Sequence, residues 1–146
     1  MAPRKKGKHW YGTGLEDARL EMGRFSQLNG YPATRFHEAS CPCGAPTFTL
    51  DQDEDEGVAR RTCSGCGAVQ WVGDSSEYAD SAELQRSECL CGAVAFQIVS
   101  GVALYEGTKD VRWLYVACFC PACGLIGVYA DWKCEGGDAD AFLART

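Results

Sequence analysis

Histidine is scarce in this 146-residue chain, which has two, and methionine (two) and proline (five) are hardly commoner. His9 lies in the N-terminal tail, and His37 sits in a polar segment four residues ahead of Cys41, so neither is placed as a metal ligand. Long apolar runs are missing too. The most apolar stretches, near 93–104 and 113–119, are too short or too interrupted to cross a bilayer. The first ten residues carry charge with no apolar run behind them, unlike a secretory signal. These absences lead us to expect a cytoplasmic protein, a setting in which disulfides are uncommon. Positive charge is also in deficit, with 14 Lys and Arg against 20 Asp and Glu and a formal net charge of −6. Such a balance is unfavourable for nucleic-acid phosphates. The local exception is Arg4, Lys5, Lys6 and Lys8, whereas residues 51–56 are almost continuously acidic.

Cysteine, by contrast, is abundant. Nine of the ten cysteines fall in four clusters: Cys41/Cys43, Cys63/Cys66, Cys89/Cys91 and Cys118/Cys120/Cys123, with Cys134 apart. Close-set cysteine pairs in a reducing compartment indicate metal ligands. Zinc accepts four thiolates in a tetrahedron, and two cysteines one or two residues apart can grip an ion from a single turn. We therefore expect two Zn²⁺ ions, one held by Cys41, Cys43, Cys63 and Cys66, the other by Cys89, Cys91, Cys120 and Cys123. Eight thiolates and two ions would lower the formal charge by four, to about −10. A glycine follows every cluster (Gly44, Gly67, Gly92, Gly124), as expected where the backbone must turn its amides toward sulfur. A closed four-sulfur shell leaves no open coordination position, so the expected sites are structural and no catalytic residue is assigned. Cys118 and Cys134 are expected as small buried or semi-exposed thiols.

The clusters divide the chain. Residues 1–12 form a basic arm expected to be flexible, and 13–40 hold a helix and connector. The first ribbon covers 41–73, an acidic linker 74–88, the second ribbon 89–132, and a tail or short helix 133–146. The helix is expected to begin with Thr13 as N-cap and Glu16 completing a capping box. Its apolar stripe of Leu15, Ala18, Met22 and Phe25 should pack on a ribbon, and Asn29-Gly30 should end it. Strands are expected at Thr47–Leu50 and Val58–Thr62 around an acidic tip, then around Val94–Ile98, Val111–Ala117 and Leu125–Tyr129. Val111, Trp113, Tyr115 and Ala117 should share one face of their strand and Leu114 and Val116 the other, so both faces should be buried. The acidic stretch from Asp51 fails as an EF-hand loop: position six is Glu56 and position twelve is Thr62. An offset of 48 aligns Cys41 with Cys89, and five of the eight residues from there are identical. An offset of 57 aligns Cys63 with Cys120, so the second copy has nine extra residues in its hairpin. Arg61 stands where the second copy has Cys118. The fold expected is mainly β, small and metal-stabilised, with two tandem β-hairpin units and an N-terminal helix.

Cys-x-Cys-Gly paired with Cys-x-x-Cys-Gly on a hairpin resembles the broad zinc-ribbon class over about 41–73 and 89–132, a class used in transcription, translation and adapter proteins. The whole chain also resembles a bacterial group of tandem-ribbon proteins. Residues 89–96 (Cys-Leu-Cys-Gly-Ala-Val-Ala-Phe) and 118–123 (Cys-Phe-Cys-Pro-Ala-Cys) resemble part of the signature of the glutathione-dependent formaldehyde-activating, Mss4-like family. That resemblance implies a three-sulfur zinc with an open position on Cys118, Cys120 and Cys123. It also implies a later Cys-x-x-Cys to serve Cys89 and Cys91, and none follows Cys123. Together these readings point to a non-enzymatic zinc-binding interaction module, with protein as partner through the aromatic hairpin of Tyr105, Trp113 and Tyr115. The alternatives are a nucleic-acid-binding ribbon and a zinc–thiolate lyase.

Overall fold

The structure, a computed structural model, describes residues 3–146; the first two residues of the expected arm lie outside it. It is mainly β, with two antiparallel sheets and one main helix. In chain order the elements are β1 (Arg4–Lys6), β2 (His9–Tyr11), α1 (Leu15–Asn29), β3 (Arg35–Glu38), β4 (Phe48–Asp53) and β5 (Val58–Cys63). There follow β6 (Val69–Trp71), β7 (Gln85–Arg86), β8 (Gln97–Leu104), β9 (Val111–Phe119), β10 (Leu125–Lys133) and α2 (Ala139–Leu143). The larger sheet has the order β1-β2-β10-β9-β8-β3, the smaller β6-β5-β4-β7.

The two sheets enclose one apolar core. Phe48, Leu50, Ala59 and Val72 from the small sheet's side meet Phe96, Ile98, Leu114, Val116 and Trp132 from the large one, and Phe142 of α2 joins them. The sheets are stitched where Phe48 and Phe96 exchange both backbone hydrogen bonds, at 2.8 Å each. The opposite face of the large sheet carries a second core, in which Ala18 and Met22 of α1 pack with Val99, Ala103, Tyr115 and Ala117. β9 is thus covered on both faces, as its two-sided apolar pattern requires. The α1 stripe meets this sheet, with Leu15 and Phe25 at its margin.

Several local expectations change. α1 starts one residue late. Extended Gly14 takes the N-cap position, and the carboxylate reaching back is that of Asp17, not Glu16; it accepts from the Thr13 N–H at 2.8 Å. Asp17 can lie there because Gly12 has no side chain; a Cβ at that position would stand 2.5 Å from the Cβ of Asp17. Residues 4–11, expected as a flexible arm, form a hairpin whose second strand pairs with β10 through Tyr11–Leu125 and Trp10–Ile126. The exposed edge of β10 supplies the unpaired amides and carbonyls that draw it in. Val111 changes face, because a bulge at Ala103/Leu104 breaks the alternation and sends it into the inter-sheet core with Leu114. The acidic stretch is not wholly a loop: β4 runs to Asp53, and Asp51 is buried between Arg60 and Arg86. In the 74–88 linker, two short 3₁₀ turns precede β7, which adds to β4.

The rings of the aromatic hairpin are largely used inside. Tyr115 is fully buried, donates its hydroxyl to Tyr31 O at 2.7 Å and accepts from Asn29 Nδ2 at 3.0 Å. Trp113 stacks on Tyr31 with ring centroids 4.8 Å apart and donates Nε1–H to Asp131. Tyr105 donates to Cys134 O at 2.9 Å.

Candidate metal centres

Four cysteine-bearing turns sit at the ends of the hairpins, and all close the same way. The amide of Gly44 donates to Cys41 O, Gly67 to Cys63 O, Gly92 to Cys89 O and Gly124 to Cys120 O, over 2.7–3.0 Å. Each of these glycines has φ between 78° and 92°, the left-handed region that glycine enters without Cβ strain. The glycine amides therefore close the turns, and the amides that face sulfur belong to their neighbours. Gly65 N–H donates to Cys63 Sγ at 3.3 Å and Ala45 N–H to Cys43 Sγ at 3.5 Å. The amides of Cys91, Ala93 and Leu125 serve Cys89, Cys91 and Cys123 in turn.

The turns bring the eight expected cysteines into two groups of four: Cys41, Cys43, Cys63 and Cys66, and Cys89, Cys91, Cys120 and Cys123. Within each group all sulfurs lie within 4.8 Å of one another, and either group could hold a metal ion. Cross-turn sulfur contacts are 3.5 Å (Cys41–Cys66), 3.4 Å (Cys43–Cys63), 3.5 Å (Cys89–Cys123) and 3.7 Å (Cys91–Cys120). A tetrahedral ion with metal–sulfur bonds of about 2.3 Å requires edges of about 3.8 Å. Disulfides would need about 2.05 Å, and all ten thiols are free. The donor sets thus fit a tetrahedral thiophilic cation. In three of the four turns the first cysteine is buried against the inter-sheet core (Cys63, Cys89, Cys120), and in the fourth Cys41 packs on it part-exposed; the second cysteine is always exposed. Both centres therefore border one core.

Protonation of the cage thiols is uneven. The amides of Cys66 and Gly65 hold the Cys63 thiol down to about 6, and the Ala93 amide lowers Cys91. Burial pushes Cys89 up to about 12. Cation binding must therefore expel protons, so affinity should weaken as pH falls.

Cys118 and Cys134 join neither group. Cys118 is fully buried with its thiol pushed up by burial, and Cys134 is 1% exposed and likewise raised. The Cys118/Cys120/Cys123 triad implied by the family resemblance is not assembled: Cys120 and Cys123 close with Cys89 and Cys91, and Cys118 faces the core. Its counterpart Arg61 is also buried, lies over the Phe48 ring at 4.5 Å and donates Nε–H to Thr146 O at 2.7 Å.

Tyr129 is the residue that sequence reasoning missed. It follows the alternation set by Leu125 into the inter-sheet core, where its ring lies beside Phe96 at 5.1 Å, and the bulge between Val128 and Ala130 carries Ala130 and Trp132 to the same face. Burial, followed by the charge of the neighbouring Cys118, Cys89 and Cys120 thiols, raises the phenol well above its ordinary range.

Compared with family models, characterised proteins and solved structures, the chain matches none.

Proposed function

We propose that this chain is a non-enzymatic, zinc-stabilised interaction module built from two tandem ribbon-like units with structural Cys₄ centres. The observation that carries this reading is the pair of complete four-sulfur cages at hairpin ends. Zinc is favoured because it is redox-inert, accepts tetrahedral thiolate shells and is the ordinary ion of such structural sites. Four sulfurs fill the shell, so substrate has no coordination position, and this weighs against the lyase alternative. The repeat reading gains support from Phe48 and Phe96, equivalent under the 48-residue offset, which pair with each other across the sheets. Of the hairpin aromatics expected to meet a protein partner, Tyr115 is buried, and Tyr105 and Trp113 stay part-exposed. Leu90 and Val94, beside the first turn of the second centre, are exposed as well.

The test is metal analysis of the purified chain together with X-ray absorption at the zinc edge. Two zinc ions per chain, each with four sulfur neighbours, are expected. A three-sulfur, one-oxygen shell at either ion would overturn the structural reading.

A further inference from the structure

The hairpin of β1 and β2 has no role in either centre, yet it adjoins the second. Arg4 pairs with Tyr11 and Lys6 with His9, so these four residues share one face of the hairpin. Lys5 pairs with Trp10 on the other face, where Arg24 and Lys5 lie over the indole at 5.3 and 6.0 Å. The first face opens onto a cleft of about 550 Å³ lined by Arg4, Lys5, Lys6, Tyr11, Gly12 and Cys123. The Gly12 amide donates to Gly124 O at 2.8 Å and ties the hairpin to the turn that carries Cys123.

The charge here is unusual for the molecule. Among the described residues the ion pairs engage Arg24, Arg35, Arg60 and Arg86. Arg4, Lys5, Lys6 and Lys8 take part in none and are exposed, on a chain of net charge −6. Tyr11 is half-buried, packed on the inter-sheet core and open to the cleft. Arg4 and Lys6 stand about 7 Å apart along the strand, a spacing comparable to that of successive phosphates in an extended single strand.

We propose that this face binds single-stranded nucleic acid, with phosphates on Arg4 and Lys6 and a base against Tyr11. The inference rests on the reading of the second centre as a closed structural site, which fixes the wall of the cleft. A cationic track with an aromatic platform is the combination that holds single strands without sequence preference. An acidic peptide would use the cations and leave the ring idle. A duplex would bring more phosphate charge against the acidic remainder of the surface.

The test is fluorescence anisotropy of a short labelled oligo(dT) with the zinc-loaded full chain, metal content being measured on the same samples. Binding at low salt is expected, with log K falling against log salt at a slope of about −1.4 for the two phosphate contacts. R4Q/K6Q should bring that slope close to zero and keep both metals. Tyr11→Leu should weaken binding at least about fivefold at constant salt. Absence of binding by protein carrying both metals would overturn the proposal and leave the metal reading intact. So would undiminished binding by R4Q/K6Q, or tighter binding of a poly-glutamate peptide. If R4Q/K6Q instead sheds metal from the second centre, the cations serve to balance its thiolate charge, and the proposal is again overturned. A wild-type chain that holds no zinc would overturn the structural reading on its own.

Discussion

Cys120→Ser should abolish the cooperative fold, whereas Cys66→Ser at the first centre should cost one metal ion and leave the large sheet standing. The difference lies in what each sulfur touches. Cys120 is fully buried in the inter-sheet core and follows directly on β9, the strand packed on both faces. Cys66 is exposed at a turn beyond β5 of the small sheet. Structural zinc contributes an apparent binding free energy of about 10–16 kcal/mol in small zinc domains. Whole domains are stable by only about 5–15 kcal/mol, so losing either ion matters. At the second centre the loss also leaves three thiols of a vacated cage, two of them (Cys89 and Cys123) pushed up by burial, beside the core. Metal analysis should give one zinc for Cys66→Ser, with the near-ultraviolet signal of the stacked Trp113–Tyr31 pair retained. For Cys120→Ser that signal should be lost. Chelator treatment of the unaltered chain should lose both ions and the same signal. Retention of native melting by Cys120→Ser would contradict the assignment of the second centre to the core.

These effects depend on features that differ in how plainly the sequence writes them. The cysteine groups were legible because spacing and the trailing glycines are local, and the geometry of a thiolate tetrahedron does the rest. The stripe of α1 and its end at Gly30 were legible for the same reason. What was not legible depends on partners distant in sequence. The basic arm has no apolar alternation of its own and becomes strand only because β10 offers it an edge. Val111 lies on an unexpected face, and Ala130 and Trp132 join that of Leu125, because bulges at Ala103/Leu104 and Val128/Ala130 shift the alternation by one residue. Composition alone does not place a bulge. Tyr115 and Trp113 read equally well as exposed anchors or as core, and only the helix and the Tyr31 turn laid over them decide the matter.

Asp51 shows how far such context reverses a local reading, and it carries the second large effect. It opens a run of acidic residues, a setting that suggests solvated mutual repulsion, yet its side chain is only 6% exposed. Its Oδ1 accepts from Arg86 Nε at 2.9 Å and its Oδ2 from Arg60 Nη2 at 3.1 Å, so one carboxylate joins β4 to both of its neighbours, β5 and β7. The Arg86 guanidinium, ahead of that of Arg60, holds the carboxyl below its ordinary range despite the opposing effect of burial. Removing one member of a fully buried ion pair costs about 3–5 kcal/mol. Here the arginine side chains are 32% and 52% exposed and can hydrate when released, which reduces the cost. We expect Asp51→Asn to lose about 2–3 kcal/mol, in line with charged hydrogen bonds, and to melt about 5–10 °C lower. The sign with pH follows from the depressed native value. The carboxylate's contribution is complete above the unfolded value of about 3.9 and disappears only as pH falls through the lower native one. The gap between the urea midpoints of wild type and Asp51→Asn should therefore stay constant from about pH 8 to 5.5, a window in which Asp51 remains ionised in both states. A gap that closes within that window would mean that another group, and not this carboxylate, holds β7 against β4.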